Sequence, residues 1–197
     1  MSVGVGTELV AEPDAALLDS LAWTFDHAAS IVAGVTDDQL TDPTPCGGWD
    51  VATLLGHMTG VVVNMGRGAS GEELPAVADY RLGADRARQF RTEADRTLAA
   101  WSTPGLHGLV DVGGGPMPVR TAIGINLVDT ATHSWDLARA TGQVEELPDE
   151  IAVPILGIGR GFVSDELRTV VGFDAAVPVG DDASPTAMLV AFLGRQP

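Results

Sequence analysis

Four histidines and one cysteine hold most of the metal-binding and nucleophilic capacity of this 197-residue chain. His133 follows Asp129 by four residues. In a helix that spacing stacks the carboxylate and the imidazole on one face, one turn apart, where both can reach a single divalent ion. In a chain this acidic an acid four residues before a histidine is common, so the pair alone decides nothing. His57 adds weight: it falls within a second long helical segment, among Thr53, Val61 and Asn64. By itself it also reads as a packed core imidazole. A His, carboxylate and His triple that leaves positions open is the minimal pattern of a catalytic zinc site. His27, on a face with Trp23 and Ile31, reads as structural, and His107 as part of a glycine-rich loop. Cys46 lies in a Pro/Gly loop with no evident base and reads as a small buried hydrophobe. Other signatures fail. Gly157-x-Gly159-x-Gly161 lacks dinucleotide-binding spacing and reads as an irregular helix start, and neither G-x-S-x-G nor H-E-x-x-H occurs.

The elements that would carry these residues are helical. Apolar residues Leu17, Leu21, Phe25, Ala28 and Val32 recur along residues 14–35, after Pro13 and up to Gly34. Residues 36–48 read as a loop rich in Asp, Thr, Pro and Gly. Residues 49–66 form a second helix with Asp50 at its start. Gly66 to Val77 reads as a connection. Residues 79–101 predict a more solvated third helix with Asp85, Arg88, Glu93 and Arg96 as surface charge pairs. A small hairpin or ordered loop is expected in 104–119, a fourth helix in 120–141 stopped by Gly142, and shorter helices near 149–163 and 185–194. The expectation is an all-α four-helix bundle forming one domain over residues 1–197, with a body at 14–142 and a C-terminal extension at 143–197.

Composition narrows the function. The formal charge is −16, from 27 acidic against 11 basic residues. That surplus opposes both nucleic-acid binding and adhesion to anionic membranes. Every basic residue is Arg, so a lysine Schiff base and a P-loop lysine are excluded. The single Cys excludes an intramolecular disulfide and a cysteine-rich zinc site. The N-terminal residues have no signal-peptide pattern, and no long apolar run occurs, so a cytoplasmic location is expected.

Two stretches carry a family resemblance. Thr44-Pro45-Cys46-Gly47-Gly48-Trp49-Asp50-Val51, running into Leu54-Leu55-Gly56-His57-Met58, resembles a segment of the DinB-like, mycothiol-dependent maleylpyruvate isomerase N-terminal family. Asp129-Thr130-Ala131-Thr132-His133-Ser134-Trp135-Asp136-Leu137-Ala138-Arg139-Ala140-Thr141-Gly142 is similar to a second. The tail from Asp182-Ala183-Ser184-Pro185 to Ala191-Phe192-Leu193-Gly194-Arg195 resembles the end of a small metal-binding branch. The resemblance implies a DinB-type bundle holding a divalent metal through His57, Asp129 and His133, with zinc first and nickel or iron as alternatives. The isomerase has Glu at the Asp129 position and a further C-terminal domain, so this chain departs from it in donor length and in the segment beyond the fourth helix. The related enzymes use the metal in thiol chemistry. With no Cys expected near the site, the thiol would be mycothiol or another low-molecular-weight thiol acting on an organic acceptor. That gives an S-transferase or isomerase, with a non-catalytic metal- or ligand-binding module and a metal-dependent hydrolase as the alternatives. A homodimer is compatible with the sequence. Trp49 and Trp135 read as packing anchors. Asp136 reads first as a structural partner of Arg139 or of a loop backbone group, and second as an acceptor orienting His133. Arg120 and Arg139 are candidate readers of an acidic substrate or ordinary surface residues.

Overall fold

The computed structural model describes residues 15–77, 80–103, 106–144, 146–171 and 173–197. The predicted helix start at Pro13 and Asp14 lies outside them. Four long helices make the body: α1 (Ala15–Ala33), α2 (Val51–Ser70), α3 (Arg86–Trp101) and α4 (Val119–Thr141). α1 packs on α3 and α4, and α2 packs on the same two. α1 and α2 therefore occupy opposite corners, and α4 runs beside α2. The core is the summed apolar stripes, with Leu21, Phe25, Leu54, Leu55, Met58, Phe90, Ile123 and Leu127 almost wholly buried. Trp101 is fully buried as well, and its indole N–H donates to Asn126 Oδ1 at 3.2 Å, joining α3 to α4.

A two-stranded antiparallel hairpin, β1 (Leu109–Asp111) and β2 (Pro116–Pro118), precedes α4, as expected. Beyond α4 come α5 (Asp149–Phe162), α6 (Asp165–Val171) and α7 (Pro185–Phe192). α5 lies on α4 and α7. Among the described residues the fold is all-α apart from the hairpin.

Three boundaries differ from the sequence reading. α2 runs through Gly66 to Ser70 because Gly66 serves contact, not termination: a Cβ there would collide with Thr97 of α3. The stop is Gly71, in the left-handed region at φ 69°. α3 begins at Arg86, because Asp85 is its cap and accepts from the Arg88 N–H at 3.3 Å. Asp85 is thus no surface charge partner, whereas Glu93 and Arg96 do pair at 3.1 Å. The glycines at 157, 159 and 161 sit inside α5, where Gly159 lies against Val128 and Phe192. α6 carried no legible signal in the sequence.

Candidate metal centre

The site lies between α2 and α4. Asp50 starts α2 by accepting the Thr53 N–H on Oδ1 at 2.8 Å, which places His57 in the second turn. The segment before it folds back through a bridge between Pro43 and Asp50 and a Thr44 N–H to Trp49 carbonyl bond of 3.0 Å. This turn lays the Trp49 ring against the site, 4.6 Å from the His57 ring and 6.0 Å from that of His133. Asp129 and His133 project from consecutive turns of α4.

The three predicted donors converge. His57 Nε2 and His133 Nε2 each stand 3.6 Å from the same oxygen, Asp129 Oδ1. The two imidazoles meet edge to face, 4.9 Å between ring centres. Donors at 2.0–2.1 Å from a tetrahedral zinc ion are about 3.3–3.4 Å apart, so the two imidazole-to-carboxylate distances are within a few tenths of an ångström of that spacing. The other carboxylate oxygen, Asp129 Oδ2, is buried with no hydrogen-bond partner. An orphaned buried carboxylate oxygen beside two imidazoles is a donor set lacking an acceptor of its electrons, and it fits a divalent cation. Burial by itself would raise the Asp129 carboxyl, but His133, His57 and, farther away, Arg195 outweigh it and hold it below the ordinary value.

Behind His133 stands a second layer. Its Nδ1 is 2.9 Å from Asp136 Oδ2. Asp136 is 0% exposed and is gripped on both oxygens by Arg195, whose Nε donates to Oδ1 at 3.1 Å and Nη2 to Oδ2 at 2.8 Å. Burial opposes the Asp136 carboxylate, and the bonds from His133 and Arg195 more than offset it, lowering its pKa. Of the readings of Asp136, the acceptor behind His133 is the one this geometry matches. Its charged partner, however, is Arg195 and not Arg139, whose guanidinium lies over the Trp135 ring at 5.6 Å.

Cys46 corrects the sequence reading. The turn at 43–50 brings its sulfur within 4.8 Å of donor atoms of both His133 and Asp136. It is nevertheless a poor thiolate: burial pushes the thiol up to about 11, more than the nearby Arg195 lowers it. The remaining candidates stay away from the donors. Arg120 is nine residues before Asp129, about 13 Å along the helix. It lines a groove with Leu17, Gly124, Ile158 and Phe162 instead. His27 stacks on Trp23 at 5.2 Å, and burial lowers its pKa. His107 borders a groove with Ser70 and Leu109 at the far end of α2.

The family model of the mycothiol maleylpyruvate isomerase N-terminal domain matches residues 21–138, a span that contains all three donors and Asp136. The chain belongs to this family. As a mycothiol maleylpyruvate isomerase N-terminal domain protein it is similar to two uncharacterized proteins of Mycobacterium tuberculosis, one from strain CDC 1551 / Oshkosh and one from strain ATCC 25618 / H37Rv. Each is 36% identical over 172 residues, covering 86% of this chain and 92% of the relative. No solved structure matches this member of the family. None of its described helices is long and apolar enough to cross a membrane.

Proposed function

We propose that this protein is a divalent-metal enzyme that uses a low-molecular-weight thiol of the mycothiol type as an S-transferase or isomerase. His57, Asp129 and His133 are its metal ligands, and zinc is the first choice of metal. One observation carries the reading: two imidazole nitrogens at equal distance from one carboxylate oxygen, whose sister oxygen is buried without a partner.

A divalent ion in such a site lowers the pKa of a bound thiol and holds the thiolate. The chain supplies the rest. His57 and His133 turn Nε2 toward the shared point. Asp136 accepts from the Nδ1–H of His133 and fixes that tautomer. Three protein donors leave a coordination position for the incoming sulfur, whereas closed structural zinc sites use four. Trp49 covers one side of the imidazole pair and narrows the approach. Cys46 groups with His133 and Asp136 and not with the three ligands together, so the reading takes the thiol from a small molecule and the acceptor from an organic substrate. Asp136, committed to His133 and Arg195, has no freedom to act as the base of a hydrolase. The extension at 143–197 belongs to the same domain in this reading, since its Arg195 reaches into the site.

The test is direct. Natively purified protein is analysed for metals, then loaded with cobalt(II) and titrated with mycothiol and other small thiols. A thiolate-to-cobalt charge-transfer band in wild type and Cys46→Ser, absent in His133→Ala, supports the reading, as does thiol-dependent conversion of an electrophilic acceptor. Tight metal binding with no thiol band and no turnover would make the protein a binding module. No metal binding would remove the site.

A further inference from the structure

The family match ends at residue 138, yet the site does not. Arg195 reaches Asp136 across 59 residues of chain. The turn after α7 delivers it. Gly194 takes φ 87°, its N–H donates to the Ala191 carbonyl at 3.0 Å, and the Arg195 N–H donates to the Val190 carbonyl at 2.9 Å. This left-handed turn caps the helix and reverses the chain. A side chain at position 194 would strike the Asp174 backbone, so only glycine passes here without strain. The guanidinium then has four anchors: two oxygens of Asp136, the Leu193 carbonyl at 2.8 Å from Nη1, and the Phe173 ring at 5.6 Å. Arg195 is 6% exposed, so it is neither a surface charge nor free to meet a substrate.

We propose that Arg195 is a positioning residue of the metal centre. By its two-pronged grip it fixes the plane of the Asp136 carboxylate, and through Asp136 it sets the orientation of His133. The inference rests on the metal-site reading. Two features support this role over simple tail packing. Both prongs land on the carboxylate that also bonds the ligand imidazole, so any rotation of Asp136 that moves Oδ2 from His133 must also break a bond to Arg195. And Asp136 is 0% exposed, so losing the arginine leaves a buried carboxylate short of its charged partner. The partner behind a ligating histidine governs metal affinity. In this protein that partner is itself held from outside the part of the chain that the family model matches.

The experiment measures zinc affinity by chelator competition and the cobalt(II) electronic spectrum on full-length protein. The variants are Asp136→Asn, Arg195→Met, Arg195→Lys and the double variant Asp136→Asn/Arg195→Met, with folding checked by circular dichroism. Asp136→Asn is expected to weaken zinc binding by about 10–100-fold, since partners behind ligating histidines carry effects of that size, and Arg195→Met, acting through Asp136, by several-fold, with a changed cobalt spectrum. Arg195→Lys, which keeps the charge but offers no fork, should fall between Arg195→Met and wild type. Because Arg195 acts through Asp136, the double variant should bind no more weakly than Asp136→Asn alone. A folded Arg195→Met protein with wild-type affinity and spectrum overturns the proposal, as do losses that add in the double variant. If Arg195→Met does not fold, Arg195→Lys decides: weaker binding supports the role, and unchanged affinity and spectrum refute it. Wild type that binds metal, with binding lost in His133→Ala but indifferent to Arg195, defeats only this inference. Wild type that binds no metal defeats the site reading as well.

Discussion

Asp129→Asn tests the centre with almost no change of shape. The carboxamide has two settings, and the structure disfavours both. With its oxygen toward the imidazoles, its NH2 occupies the Oδ2 position, which is buried and has no hydrogen-bond partner. With its NH2 toward the imidazoles, it faces two nitrogens that lie 3.6 Å from Oδ1 and donates where a cation should sit. Either setting also removes the anionic donor. At zinc held at a hundred times the wild-type Kd, binding stabilises the native state by about 2.7 kcal/mol. For a chain of this length that is a rise in Tm of about 5–11 °C. If Asn weakens affinity a hundred-fold, the same zinc concentration contributes only about 0.4 kcal/mol, or about 1–2 °C. The assay is a thermal melt of chelator-treated wild type and variant, each with and without zinc. An Asn variant that keeps the full zinc shift, or a wild type that shows none, would refute the role given to Asp129.

Gly194→Ala should destabilise the protein by at least about 1–2 kcal/mol, from the left-handed conformation alone, and should weaken zinc binding with it; urea unfolding and chelator competition measure the two together. Asp50→Ala should cost about 1 kcal/mol at neutral pH by uncapping α2. Bonds to Thr53 lower the Asp50 pKa from 3.8 in the fold, so its contribution is present above that pH and fades as pH falls through the lowered value; denaturant melts of both proteins should converge in acid. Trp101→Phe should cost about 2–3 kcal/mol, because it leaves Asn126 Oδ1 without its donor in a fully buried place and opens a gap beside it. Chemical denaturation with an unchanged midpoint would remove Trp101 from the core account.

The parts of the fold legible in sequence are those written in local pattern. The apolar stripe of α1 and the i, i+4 spacing of Asp129 and His133 depend on neighbours within a turn or two, and they hold in the structure. The failures are long-range. Gly66 reads as a stop, yet it is a contact glycine whose partner, Thr97, lies on another helix. Asp85 reads as one of several charges because nothing nearby marks it as a cap. Cys46 reads as remote from the metal site because the bridge between Pro43 and Asp50, which folds it inward, leaves no periodic trace. Arg195 is the clearest case. Gly-Arg after an apolar helix signals a turn, but no local rule says that the arginine crosses the molecule to a carboxylate on α4.

That long reach has a consequence for the order in which the protein is made. A ribosome releases residues from the N-terminus onward, so His57, Asp129 and His133 exist before the arginine that steadies one of them. The 59 residues between Asp136 and Arg195 take about 3–12 s to add at 5–20 residues per second. Once α4 has emerged, and until Arg195 follows it, α2 and α4 can pair while Asp136 still lacks its guanidinium. A chain in that state would hold all three candidate donors while Asp136, behind His133, lacked its arginine. On the positioning role proposed for Arg195, zinc captured then would exchange more readily than after the turn at Gly194 and Arg195 engages Asp136.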